Sequence, residues 1–259
     1  MTKISQLILT PLPGLPLISK GDDLVRYILD GLLRCSIRPQ PGDILVLAQK
    51  IVSKSEGRLV ALEDVKPSQD AHKLARQTKK DPRLVELILK ESKRVLRARI
   101  GLIIVEHRLG FICANAGIDS SNVAEANVEG NGFALLLPMD PDGSAKRIAE
   151  RMFEETRVHF GVLIIDSHGR AWREGAVGVT IGSAGINPLL DLRGKPDLFG
   201  MPLKSTQVGI ADEVASAASI MMGQAAEGLP VVHVRGLPYP LGEGSTQDIL
   251  RDEDKDLFR

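Results

Sequence analysis

Two aspartates, Asp119 and Asp166, fall where apolar runs give way to polar residues, and each is followed by a serine, Ser120 and Ser167. Carboxylates beside hydroxyls suit hard, oxygen-seeking cations such as Mg2+ or Mn2+. Asp119 belongs to a glycine-containing turn, Ala114–Asn122, that also carries Asn115 and Asn122. Lys50 and Lys54 lie just past another apolar run and can meet phosphate charge, and Gly223 and Gly228 let backbone N–H groups approach it. An aspartate after a strand is also an ordinary turn residue. The residues alone therefore leave two readings open: turn chemistry, or a metal–phosphate site.

Other constellations carry less. The five histidines show no zinc-like spacing, and no Ser–His–Asp grouping can be argued. Asp140 and Asp142 resemble a metal pair, but their place at a helix start makes capping the better reading. Gly178, Gly182 and Gly185 do not form a dinucleotide fingerprint. Gly194-Lys195-Pro196 lacks the upstream glycine and the following Ser or Thr of a phosphate loop.

The elements that must position these residues follow from apolar spacing and turn chemistry. A strand over Ile4–Leu9 ends at Pro11, and Pro13–Ile18 forms a stiff loop. Asp22 or Asp23 caps a helix with a stripe of Leu24, Ile28, Leu32 and Leu33. Ile44–Ala48 is a strand that runs into the polar stretch Gln49–Arg58. Residues 64–99 read as helical, opened by Ser68 or Asp70 and again by Asp81-Pro82; the basic run Arg94–Arg99 reads as a solvated helix end. Ile100–Val105 and Phe111–Ala114 make a hairpin that delivers the Asp119 turn. A loop at Asn127–Gly132 precedes a strand over Ala134–Leu137, and a helix runs from the Asp140 cap to about Arg157. Gly161–Ile165 is a buried strand ending at Asp166-Ser167, and Val177–Ile181 is another. A helix over about Gly209–Met222, with small residues on one face, leads through a Gly/Ala loop to a strand at Val231–Val234. The tail from Ser245 reads as a surface helix.

The 259 residues suffice for one large domain or two lobes. Apolar residues make up 43% and charged residues 25%, ordinary for a globular protein, while aromatics at 3% leave the core to Leu, Ile, Val and Ala. The 33 basic and 33 acidic residues cancel, which gives no global pull towards nucleic acid or anionic membrane. Apolar runs are far shorter than the roughly 20 residues of a membrane helix, and Pro11 and Pro13 interrupt any signal-peptide pattern. A cytoplasmic location is expected, with Cys35 and Cys113 as core thiols.

Seven blocks carry a family resemblance: Leu15-Pro16-Leu17-Ile18, Ile51 through Arg58, Asn115 through Asn122, Asp140 through Ala145, Ile165 through Arg170, Ala211-Asp212-Glu213, and Met222 through Gly236. Together, in order and over about residues 5 to 250, they resemble the coenzyme F420-0:L-glutamate ligases. The resemblance implies a GTP-dependent ligase that adds L-glutamate to coenzyme F420-0, successively and through γ-links, by way of an acyl phosphate. It implies GTP as co-substrate, Mg2+ or Mn2+ as metal, and K+ as a further candidate ion. Catalytic roles map onto Asp119, Asp166 and Lys54. Metal ligands map onto Asp119, Asp166, Ser167 and Gln224. Nucleotide contacts map onto Leu15, Pro16, Leu17, Ile18, Gln49, Lys50, Lys54 and Asn122, and onto the loop Met222, Gly223, Gln224, Ala225, Ala226, Glu227, Gly228 and Leu229. Family members carry Ser-Thr where this chain has Gln49-Lys50. Their metal-binding glutamate aligns with Gln224, which leaves Glu227 as an alternative ligand.

The implied fold is a mixed α+β, two-lobed ligase arrangement, neither Rossmann nor P-loop, in an intertwined homodimer with the cleft near the subunit interface. The expected module covers residues 1–259, divisible into two interwoven lobes, with 245–259 as a surface tail. Two other readings remain: a module that binds the deazaflavin without ligating it, and a related ligase for another carboxylated cofactor.

Overall fold

The computed structural model describes residues 6–119 and 132–257. Of the expected site residues, Asn122 lies outside them, as does Ser120 beside Asp119 and nearly all of the 127–132 loop. The larger of the sheets is built from β1 (Ile8–Pro11), β2 (Ile44–Ala48), β8 (Gly161–Arg170), β9 (Arg173–Ala184) and β12 (Val231–Arg235), in the order β1-β12-β2-β8-β9. Only β2 and β8 run parallel; the other pairings are antiparallel. A Rossmann or P-loop sheet needs parallel strands throughout its centre, so the fold is a mixed α+β one.

Helices cover both faces of this sheet. Leu45, Leu47, Val162 and Ile164 point to α1 (Leu24–Arg34) and α5 (Pro141–Thr156). Ile44, Val46, Leu163 and Ile165 point to α6 (Ile210–Met222). The alternation of a strand buried on both faces accounts for the unbroken apolar runs. Gly178 and Gly182 sit within β9, four residues apart, yet meet different helices. A Cβ on Gly178 would lie 2.5 Å from the Ala215 carbonyl oxygen of α6, and one on Gly182 would lie 2.5 Å from the Pro141 carbonyl of α5. A register shift between Ile164 and Ile165 lies between the two glycines and reverses the alternation.

A smaller region carries the Asp119 turn. It contains α2 (Gln49–Ser55), β3 (Leu59–Ala61), α3 (Gln69–Thr78), α4 (Pro82–Lys90), β4 (Ser92–Arg99), β5 (Leu102–His107), β6 (Ile112–Ala114) and β7 (Phe133–Leu135). β4, β5 and β6 form one sheet, β3 pairs with β7, and α3 and α4 pack over Ile103 and Val105. A small pair, β10 (Leu190–Asp191) with β11 (Gln207–Val208), precedes α6.

The caps fall where side-chain chemistry places them. Asp23 accepts from Val25 N–H, Ser68 from Ala71 N–H, Asp81 from Arg83 N–H ahead of Pro82, and Asp140 from Gly143 N–H ahead of Pro141. Four expectations are corrected. Arg94–Arg99 belongs to strand β4, not a helix end: α4 stops at Lys90 with Glu91 as its C-cap, and Arg94 faces acid across the sheet, its Nε donating to Glu106 Oε2 at 2.9 Å. Pairing with β5 overrides the local helical spacing. Leu33 is 77% exposed and not part of the α1 stripe. β8 and β9 run well past the expected bounds, so Asp166 and Ser167 lie inside a strand and not beyond its end. The tail from Ser245 forms two short 3-10 turns, Thr246–Ile249 and Glu253–Lys255, in place of a helix. Cys35 and Cys113 are free thiols. Among the described residues no helix is long and apolar enough to cross a membrane.

Candidate active site

The strands β2 and β8 run together as far as Ala48 opposite Ile165. Past that point β2 turns directly into α2, while β8 continues with β9 as a two-stranded arm. A cleft of about 1810 Å³ opens at this divergence. Every expected site residue among the described ones lines it. Leu15 to Ile18 come from the loop after β1, Gln49, Lys50 and Lys54 from α2, Asp119 from the smaller region, Asp166 and Ser167 from β8, and Met222 to Leu229 from the end of α6 and the loop that follows.

Asp119 is held by a pair of backbone bonds with Leu135, at 3.0 and 2.8 Å. Gln49 Nε2 donates to Asp119 Oδ2 at 2.8 Å, and the Lys50 ammonium lies 3.5 Å from the same oxygen. Gln49 is itself buried, with its carbonyl oxygen accepting from the Ser53 hydroxyl at 2.9 Å. Its side chain thus serves the carboxylate. Burial raises the Asp119 pKa above the ordinary aspartate value, and the negative charge of Asp166 pushes the same way; Lys50 and Gln49 oppose them. A partly buried carboxylate whose proton affinity is raised by a second carboxylate in the same cleft is a setting in which a divalent cation relieves the repulsion.

Asp166 is placed by the backbone of β8, opposite Val179 of β9. His168, two residues on and so on the same strand face, brings Nε2 to 3.2 Å from Asp166 Oδ2, too poorly aligned for a hydrogen bond. Phe111 packs against His168 with ring centroids 5.5 Å apart. Cys113 lines the same wall, and burial, reinforced by Asp166, pushes its thiol up to about 12, so it is a neutral thiol there. Ser167, on the other face by alternation, donates its hydroxyl to Gln224 Oε1 at 2.8 Å, and Gln224 Nε2 donates to Ser219 at 3.0 Å.

The candidate ligands therefore fall into two groups, Asp119 with Asp166 and Ser167 with Gln224. Among the described residues no three His, Cys, Asp or Glu side chains converge as a metal cluster. The donor set is oxygen-rich and suits a hard cation supplemented by substrate oxygens, as is usual for Mg2+. Glu227 turns back into its own loop, accepting from Ala225 N–H at 2.8 Å. Such bonds to backbone N–H groups hold its carboxyl below the ordinary glutamate value. That loop already binds an anion through its backbone.

Residues 14–236 match the family described as F420-0:Gamma-glutamyl ligase. A protein of Methanothermobacter thermautotrophicus named coenzyme F420:L-glutamate ligase is 46% identical over 248 residues, 95% of this chain and 96% of that protein. Proteins of the same name from Methanocaldococcus jannaschii and Methanopyrus kandleri are 43% and 42% identical, over 85% and 100% of this chain and 86% and 100% of their own lengths. The chain belongs to this F420-0:γ-glutamyl ligase family.

Two parts of this ligase-family site escaped the sequence reading. His168 was legible in the alternation of β8, since residues 166 and 168 share a face once the strand is known to continue. Ile249, Arg251 and Asp256 also line the cleft, and no local signal announces it. They arrive from a segment more than a hundred residues from either aspartate of the neighbouring α5 turn, through tertiary contacts alone.

Proposed function

We propose that this chain is a GTP-dependent ligase that adds L-glutamate to coenzyme F420-0, successively and through γ-links, as a step in coenzyme F420 synthesis. The observation that carries the reading is the convergence of Asp119 and Asp166 in one cleft with the 222–229 loop, in a chain 46% identical to a protein named for that ligation. The γ-phosphoryl group of GTP passes to the carboxylate of the coenzyme tail, giving an acyl phosphate and GDP. The amine of glutamate then attacks the acyl carbon, forming the amide and releasing phosphate.

The chain's residues divide this work. Asp119 and Asp166 would hold Mg2+ or Mn2+, with Ser167 and Gln224 as the second donor pair and Glu227 as its alternative; K+ is a further candidate ion. A divalent cation bound there screens the repulsion between an anionic nucleophile and the triphosphate. Lys54 and Lys50 add positive charge from α2, and the backbone N–H groups of the 223–228 loop receive phosphate oxygens in place of Glu227. The Leu15 to Ile18 loop contributes backbone and apolar contacts to the nucleotide, and Asn122 is the remaining nucleotide contact. Gln49 fixes the Asp119 carboxylate.

The two regions work as a single module of residues 1–259 in the cytoplasm. We place it in a homodimer, because Leu198, Phe199, Met201 and Trp172 are large apolar side chains left exposed, and Trp172 tips the arm whose neighbours line the cleft. Sedimentation at micromolar concentration checks this, a monomer mass being the contrary result. For the reaction, the protein is incubated with F420-0, GTP, Mn2+ and glutamate, and product masses are read. Successive glutamate-sized increments with stoichiometric GDP support the reading. Deazaflavin binding without any increment would leave a binding module, and increments only with another carboxylated acceptor would leave a related ligase.

A further inference from the structure

The segment after Gly244 is bolted to the body of the protein at several points before it reaches the cleft. Thr246 is buried, and its hydroxyl donates to Asp142 Oδ2 at 2.9 Å; the Asp142 carboxylate also accepts the Ser183 N–H of β9 at 2.7 Å. Ser245 and Asp248 close a reciprocal capping box around the first 3-10 turn. Gln247 Nε2 donates to the Leu109 carbonyl at 3.3 Å, and Leu250 lies over Gly110, so the segment crosses the β5–β6 hairpin turn. Glu253 pairs with Arg94 of β4 at 2.5 Å. Between and beyond these anchors, Ile249, Arg251 and Asp256 face the same cleft as Asp119 and Asp166. The segment itself lies past residue 236, where the family match ends, while its anchors lie within that match.

Two more guanidinium groups line the cleft from the arm, Arg170 at the end of β8 and Arg173 at the start of β9. The groups proposed above to face phosphate line the cleft from other elements, α2 and the loop leading into β12. The arginines stand past the last pairing of β8 with β2, on the far side of Asp166 along the strand. Guanidinium groups present paired donors that match carboxylates and phosphodiesters in geometry as well as charge.

We propose that residues 245–257 form a fixed wall at the acceptor end of the cleft, where Arg251, with Arg170 and Arg173, receives the anionic tail of the carboxylate-bearing substrate. The inference rests on the ligase reading above and adds the residues that select the acceptor. Arg251 is a specificity residue here, reading the acceptor's charge without touching the phosphoryl transfer.

The test titrates the intrinsic fluorescence of F420-0 and of its monoglutamyl form against the full-length wild type, Arg251→Gln and Arg251→Lys, without GTP. GTP affinity is measured separately by calorimetry. Loss of one charge-assisted contact predicts about tenfold weaker binding of both deazaflavins by Arg251→Gln, partial recovery in Arg251→Lys, and unchanged GTP affinity. The wild type should also lose acceptor affinity with salt more steeply than Arg251→Gln. Equal deazaflavin binding by wild type and Arg251→Gln overturns the inference and leaves the ligase reading standing, as does an equal loss of GTP and deazaflavin affinity. Absence of both deazaflavin binding and turnover in the wild type overturns the ligase reading, and this inference with it.

Discussion

Asp119 stands in the smaller region on a turn joined to β7 by two backbone bonds at Leu135, whereas Asp166 stands inside β8, paired with β9 on both sides of it. The first carboxylate is aimed by side chains, the Gln49 amide and the Lys50 ammonium, both delivered by α2. The second is aimed by sheet register, with His168 beside it as a neighbour of looser geometry. One half of the site is held by groups that a point substitution removes, the other by a backbone ladder that it does not. The difference teaches where the site is sensitive to side-chain substitution: the Asp119 carboxylate leans on side chains of α2, and Asp166 leans on its strand.

The largest expected effect is common to both halves. Asp119→Asn and Asp166→Asn should each lower GDP release by on the order of a thousandfold with unchanged circular dichroism, since each removes a carboxylate proposed to hold the divalent cation that screens the reacting phosphates. Near-normal turnover in either would detach that carboxylate from the chemistry. The comparison itself is tested by their supports. Gln49→Ala should reduce turnover about tenfold, the scale of a lost hydrogen bond to a charged group. His168→Asn should cost less than about threefold, because an unaligned, partly exposed pair adds little and the strand still places Asp166. The reverse ranking would refute the assignment of side-chain and backbone control.

At the second donor pair, Gln224→Glu replaces an amide by a carboxylate beside Ser167. Mn2+ titrated calorimetrically should bind about tenfold more tightly, because hard cations favour anionic oxygen. No gain would mean that Gln224 is a brace for Ser167 and Ser219, and not a ligand.

The smallest effects are in stability, and two titratable groups near the cleft have opposite signs with pH. Asp119 has a raised pKa, so its contribution is present below the ordinary value of 3.8 and is lost as pH rises through the raised value. Asp119→Asn should therefore melt about 2 °C higher than wild type at neutral pH, with the gap closing below the ordinary carboxylate range. His107, at the end of β5 and stacked on the Phe111 that touches His168, is pushed down by burial from 6.5 to about 4. Its contribution is full above 6.5 and is lost as pH falls towards 4. His107→Gln should flatten thermal melts across that acidic window. Unchanged pH dependence there would assign the acid loss to other groups.

The sequence by itself determined the local events: which residues cap α4 and α5, the pairs Asp22 or Asp23 and Ser68 or Asp70 from which the caps of α1 and α3 come, where β2 begins and ends, and that Asp119 and Asp166 terminate apolar runs. These depend on side-chain chemistry within a few residues, so they are readable without neighbours. The family blocks added which of the polar residues belong together, and all of those described do meet in one cleft. Tertiary structure decided the rest. Arg94–Arg99 became a strand because β5 and Glu106 were available to pair with it. Asp166 became an interior strand residue because β9 extends the arm past the end of β2. Arg251 reached the cleft because Asp142, Leu109 and Arg94 hold the chain across the smaller sheet. Each of these depends on contacts between residues far apart in the chain, whose energies no local window contains.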